Sequence, residues 1–139
     1  MSEPRHSSRA LAVLLLVVFV NLVGFGVVIP LLPFYAEHFG ASALIVGLLS
    51  TSFSLMQFLF APVWGRISDR VGRRPILLIG LGGSVLFYSL FGYASQLPRE
   101  AAGLALALLF VARIGAGVCG ATISTAQAVI ADCTPPEKR

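Results

Sequence analysis

The chain has 139 residues, 57% of them hydrophobic and 12% charged, with a formal net charge of +4. That charged share is about half of what a soluble domain carries, and a water-soluble fold of this composition would expose large apolar patches. The composition therefore points to an integral membrane protein. The positive balance does not point to nucleic acid, because the basic residues cluster at the ends of apolar runs and not on a solvated face with interleaved aromatics.

A polar tail, residues 1–9, carries Arg5, His6 and Arg9. Residues 10–36 are the first predicted crossing. A bilayer core of about 30 Å needs roughly 20 helical residues, so this run should tilt, bend or protrude. It is far longer than the apolar core of a signal peptide, and no small-x-small site closes it, so it stays in the membrane. Asn21 is a polar group at mid-membrane depth. Pro30 and Pro33 predict a bend, and because Pro30 has no N–H the carbonyl of Gly26 loses its helical donor.

After a short connector, residues 38–42, the second crossing covers residues 43–64. It places Gln57 at mid-depth, while Ser50, Thr51, Ser52 and Ser54 are expected to back-bond to their own helix. For Asn21 and Gln57, substrate contact and helix–helix hydrogen bonding are both open. A tight basic turn follows, of the form G-x-x-x-D-R-x-G-R-R-P from Gly65 to Pro75. Gly65 and Gly72 permit positive φ, and Asp69 can cap a helix or hold a nearby arginine. Pro75 suits the first position of the next helix. Arg66 and Arg70 also fit a generic basic loop.

The third crossing is residues 75–95, where Gly80, Gly82 and Gly83 read as close helix packing. Residues 96–100 connect to a fourth crossing over residues 101–131, and residues 132–139 begin a loop that opens on Asp132. The string Gly115-x-Gly117-x-x-Gly120 matches a dinucleotide fingerprint in letters only. No strand precedes it, so close helix packing is expected there too. Cys119 and Cys133 lie about 21 Å apart at helical rise and cannot bridge within one helix. Cys119 is expected to pack as a small buried residue and Cys133 to be a free thiol near the membrane surface.

Short connectors make neighbouring helices antiparallel. Arg5, Arg9, Arg66, Arg70, Arg73, Arg74, Lys138 and Arg139 then share one side, against only Arg99 on the other. By the positive-inside rule both ends of the chain and the basic turn are expected in the cytoplasm of a cell-membrane protein. Arg113 lies deep in the fourth crossing, where an arginine is costly and faces a cavity or a partner. Counting from the cytoplasmic ends, Gly26 lies at roughly 24 Å and Arg113 at roughly 27 Å. Arg113 is therefore expected to donate to first-helix carbonyls near Gly26, or to Asn21 through water. Asp132 is expected beside Arg73, as a charge pair latching the cytoplasmic helix ends.

The basic turn resembles the signature that joins the second and third helices of major facilitator superfamily transporters. Gly24-Phe25-Gly26-Val27-Val28-Ile29-Pro30-Leu31-Leu32-Pro33 resembles the first-helix signature of that superfamily's drug–proton antiporters. Leu55-Met56-Gln57 and Phe60-Ala61-Pro62 resemble its tetracycline-exporter branch. Arg113-Ile114-Gly115-Ala116-Gly117 with Gly120-Ala121-Thr122 is similar to the fourth-helix R-x-x-x-G segment, and Val129-Ile130-Ala131-Asp132 to the start of the loop after it.

The resemblance implies an all-α transmembrane fold, with four antiparallel helices forming part of the N-terminal six-helix half of a roughly twelve-helix carrier. It implies secondary active efflux of small molecules or drugs by proton antiport, with the lipid bilayer, a small-molecule substrate, protons and the missing C-terminal helices as partners. As an N-terminal fragment or truncated gene product the chain is expected to be inactive alone. Tetracycline exporters have acidic residues where this chain has Asn21 and Phe87, which leaves substrate and proton site open, and Ala116 replaces a common glutamine. A four-helix dimeric small multidrug exporter is the first alternative, although the first helix lacks the membrane-embedded glutamate such proteins use. An accessory or assembly subunit is the second. No cofactor, metal or enzymatic activity is expected: there is no nucleophile–base pair, ligand cluster or phosphate loop, and His6 and His38 lie in solvent-facing segments.

Overall fold

Apolar runs broken by Gly40, Gly72 and Pro98 give the four α-helices seen in the computed structural model, which describes residues 5–123 and 125–127. They are α1 (Arg5–His38), α2 (Ala43–Val71), α3 (Arg73–Ser95) and α4 (Ala102–Gly120), with a 3-10 turn at Arg99–Ala101 leading into α4. α1, α2 and α3 each contain a stretch long and apolar enough to cross a membrane, and the fourth such span, Arg99–Gln127, takes in α4 with its flanking turns. The described residues contain no strand, as expected for the all-α transmembrane class.

Several expected boundaries move. The basic segment is not a loop: residues 65–71 continue α2, and only Gly72 leaves helical geometry, at φ 102°. Loss of hydropathy marks where lipid ends, whereas the backbone ladder runs on until a residue adopts a conformation that the helix cannot hold. Gly72 does so, and its N–H still bonds the Ser68 carbonyl at 3.0 Å. Asp69 therefore sits exposed in the last turn of α2 and makes no cap bond to α3 among the described residues. The N-cap of α3 is Gly72, with no side-chain bond, and Pro75 is the third residue of α3 and not its first. Gly65 is helical, so its expected positive φ does not arise. α1 runs through Pro30 and Pro33 as one helix.

The fourth crossing is also interrupted. α4 ends at Gly120, and Ala121 and Thr122 form a turn before helical geometry returns at residue 123. The Thr122 N–H bonds the Cys119 carbonyl at 3.2 Å, a tighter i→i−3 closure than an α-helix makes. Asp132 and Cys133 lie outside the described residues.

α4 is the central element, packing mainly against α3 and α2, while α1 lies at the periphery. Two kinds of packing divide the bundle. At the end far from the basic segment, Val28, Leu32, Leu49, Phe91, Ala105 and Leu109 form a conventional apolar core. Nearer the basic segment, α3 and α4 meet along an antiparallel seam of small residues. Gly80 lies against Thr122, Gly83 against Cys119, and Gly115 against the Phe87 ring. The pairs advance by three and four on α3 while retreating equally on α4, so one face of each helix stays in register. Cys119 is buried there, in the small apolar role expected of it. Many large apolar side chains point outward, Phe58 and Phe34 among the most exposed, as an outer surface bathed in lipid requires.

Candidate functional site

α4 also approaches α2 closely enough for one residue of α2, Phe53, to touch both α4 and α1. Gly117 faces the backbone of Phe53: a Cβ at Gly117 would stand 2.5 Å from the Phe53 carbonyl oxygen. The Phe53 ring is thereby held beside α4, where the guanidinium carbon of Arg113 lies 4.4 Å from its centroid. From α1, Phe25 stacks on the same ring, with centroids 5.1 Å apart and planes at 28°. Arg113 is 2% exposed, the largest of the fully buried side chains.

Burial without pairing makes this arginine unusual. Its Nε and Nη1 have no hydrogen-bond partner among the described residues. The expected donation to first-helix carbonyls near Gly26 is thus not made by these two nitrogens. Physically, the Phe53 ring, stacked against α1, takes the guanidinium face instead. Gly26 is exposed on α1, with nothing within 4 Å of where its Cβ would be.

Asn21 is buried and accepts a hydrogen bond from Ser84 Oγ of α3 at 3.1 Å. This is a helix–helix hydrogen bond, one of the two roles open to Asn21. Asn21 and Ser84 also line an open groove of about 600 Å³ between α1 and α3, with Gly24, Val28, Tyr35 and Tyr88. Tyr88 lies flush on α1: a Cβ at Gly24 would meet its ring at 2.9 Å. Phe87, at the second position where the resemblance implied an acid, covers Gly115 and fills space against α4. Gln57 is half-buried on α2. Of the four hydroxyls expected to back-bond, Ser50, Thr51, Ser52 and Ser54, Ser52 does so, to the Leu48 carbonyl at 2.7 Å.

In the basic segment Arg70, Arg74 and Asp69 are exposed and Arg73 is half-buried. The structure therefore separates the sequence-derived residues into a membrane-buried group, Asn21 and Arg113, and a surface group at the α2–α3 junction. Sequence reasoning missed Phe53, Ser84, Tyr88 and Trp64. The glycines of α4 signalled a close approach, but nothing in the sequence named the residues that approach.

The Major Facilitator Superfamily model matches residues 14–139. The chain is 41% identical over 136 residues to the class C tetracycline resistance protein of Escherichia coli, covering 96% of this chain and 32% of that protein. It is 37% identical over 135 residues to the class E tetracycline resistance protein of Escherichia coli, covering 95% and 31%. Similarity extends to major facilitator superfamily domain-containing protein 10 of Bos taurus, at 29% over 161 residues, 95% of this chain and 33% of that protein. The chain thus spans about a third of the length of these curated relatives. No solved structure matches it at a significant level. Four membrane-length helices, the glycine that breaks the basic segment and a family match over nearly all of its length make this multi-pass membrane chain a member of the Major Facilitator Superfamily.

Proposed function

We propose that these helices belong to a carrier that exports small molecules across the cell membrane by alternating access coupled to proton entry, with no enzymatic step. The observation that carries the reading is Arg113. A cation buried in a membrane helix with two uncommitted nitrogens is a group kept for a ligand or a coupling step. Arg113, Asn21 and Gln57 are the coupling and cavity residues in this reading. Because Asn21 and Phe87 do not ionise as acids, the proton is taken up elsewhere than in the tetracycline exporters.

The surface group supplies the conformational bias. Gly65, Asp69, Arg70, Gly72, Arg73 and Arg74 form the switch motif on the cytoplasmic side, where both chain ends also lie. A pair between Arg73 and Asp132 latches it, contributing about 1 kcal/mol or less in a solvated setting. Such a bias still shifts a near-balanced equilibrium. Gly26, Pro30 and Pro33 let α1 flex between states.

The test is a chimera in which this chain replaces the matching third of the class C tetracycline resistance protein. In inverted vesicles it should accumulate tetracycline or another drug when a proton gradient is applied, and Arg113→Ala should abolish accumulation. A folded, inserted chimera that moves nothing from a broad drug panel would remove the reading.

A further inference from the structure

Phe53 is 4% exposed and held from several directions at once. Gly117 abuts its backbone, its ring lies 3.7 Å from where a Gly120 Cβ would be, and Phe25 stacks upon it. A ring fixed in this way presents its face in one place, and Arg113 is in that place. An aromatic face attracts a cation through its quadrupole, and this attraction strengthens when water is absent. It does so without consuming an N–H, unlike a carboxylate, whose fork would take two. The uncommitted Nε and Nη1 of Arg113 are the expected signature of a charge held by a ring.

We propose that Phe53 is the positioning residue for Arg113: its ring holds the guanidinium charge at the α1–α2–α4 junction and leaves two occluded nitrogens without a hydrogen bond, so that they receive a carbonyl or carboxylate oxygen of the transported molecule when the helices part. The second half rests on the carrier reading, while the first concerns the chain alone. Without the ring, a buried guanidinium would draw in water or a backbone carbonyl, and its donors would already be engaged when a ligand arrived.

The experiment uses the full 139-residue chain in lipid nanodiscs with nitrogen-15 in its arginines, the Arg113 resonance being identified by its loss in Arg113→Lys. Phe53 is replaced by 3,4,5-trifluorophenylalanine, which keeps the ring's shape but flattens its negative face, and separately by Leu. Exchange of the Arg113 Nε–H with solvent should quicken by about tenfold in the fluorinated protein, the loss expected of a desolvated cation–π contact. If the fluorinated chain exchanges like the parent, the ring is filler and the proposal fails, whatever the Leu variant does. Benzoate at about 10 mM, enough to report even a weak site, should shift the Arg113 Nε–H signal in the parent and less in the fluorinated chain. No shift would remove the ligand-facing half. A chimera that transports nothing, with the exchange result intact, would overturn the carrier reading and leave Phe53 as the holder of Arg113.

Discussion

The indole Nε1–H of Trp64, on α2, donates to the main-chain carbonyl of Val118, on α4, at 2.8 Å. In a continuous α-helix that carbonyl would receive the N–H of Thr122. Here Thr122 turns both its N–H and its hydroxyl to Cys119, at 3.2 and 2.8 Å. The break at the end of α4 therefore frees one carbonyl, and a side chain from the neighbouring helix satisfies it.

Trp64→Phe should accordingly destabilise the bundle by about 1 kcal/mol, the net contribution of a hydrogen bond to a partly buried acceptor. Thermal unfolding in nanodiscs measures it. A melting temperature equal to that of the parent would mean that the carbonyl finds another donor. Alkylation of Cys119, one residue further along α4 and buried against Gly83, should quicken as that end of the helix loosens.

The two glycines of the basic segment should answer differently to the same substitution. Gly72 has φ 102° and ψ 152°, an extended positive-φ conformation essentially reserved for glycine, so Gly72→Ala should cost roughly 1–3 kcal/mol. Gly65 is helical, with nothing within 4 Å of a Cβ, so Gly65→Ala should be neutral or stabilise by up to about 1 kcal/mol. Paired denaturation curves decide this, and equal losses at both positions would contradict the geometry.

This contrast shows where the sequence is legible and where it is not. Four crossings follow from hydropathy and length alone, because each run must satisfy its backbone internally in lipid. The end of α2 does not, since polar residues beyond the membrane continue a helix as readily as they form a loop. Small residues at Gly115, Gly117 and Gly120 announced close packing correctly, as Phe87 and Phe53 bear out. That Phe53 would stand under Arg113 depends on how α1, α2 and α4 meet, and no local pattern encodes a three-helix junction. Asn21 was recognisable as polar and deep, but its partner Ser84 lies 63 positions away.

Gly117 and Gly82 provide a second matched pair. A methyl group at Gly117 would collide with the main-chain oxygen of Phe53, which cannot rotate away, so Gly117→Ala should push α2 from α4 at about 1–3 kcal/mol. It should also disturb Arg113, because the ring moves with its backbone. Gly82 is exposed on α3 with open space around it, and Gly82→Ala should be harmless. Unfolding by detergent titration distinguishes the two, and a tolerated Gly117→Ala would contradict the close approach.

Membrane sidedness rests on charge and has a direct chemical test. Val71, at the end of α2, and Glu100, in the turn before α4, are both exposed and lie at opposite ends of the antiparallel bundle. Arg66, Arg70, Arg73 and Arg74 surround the first, whereas only Arg99 accompanies the second. With Cys119→Ala and Cys133→Ser removing the native thiols, a cysteine introduced as Glu100→Cys should react with a membrane-impermeant maleimide on intact cells. Val71→Cys should react only after permeabilisation. The reverse pattern would place the arginine-rich end outside, and with it the proposed switch.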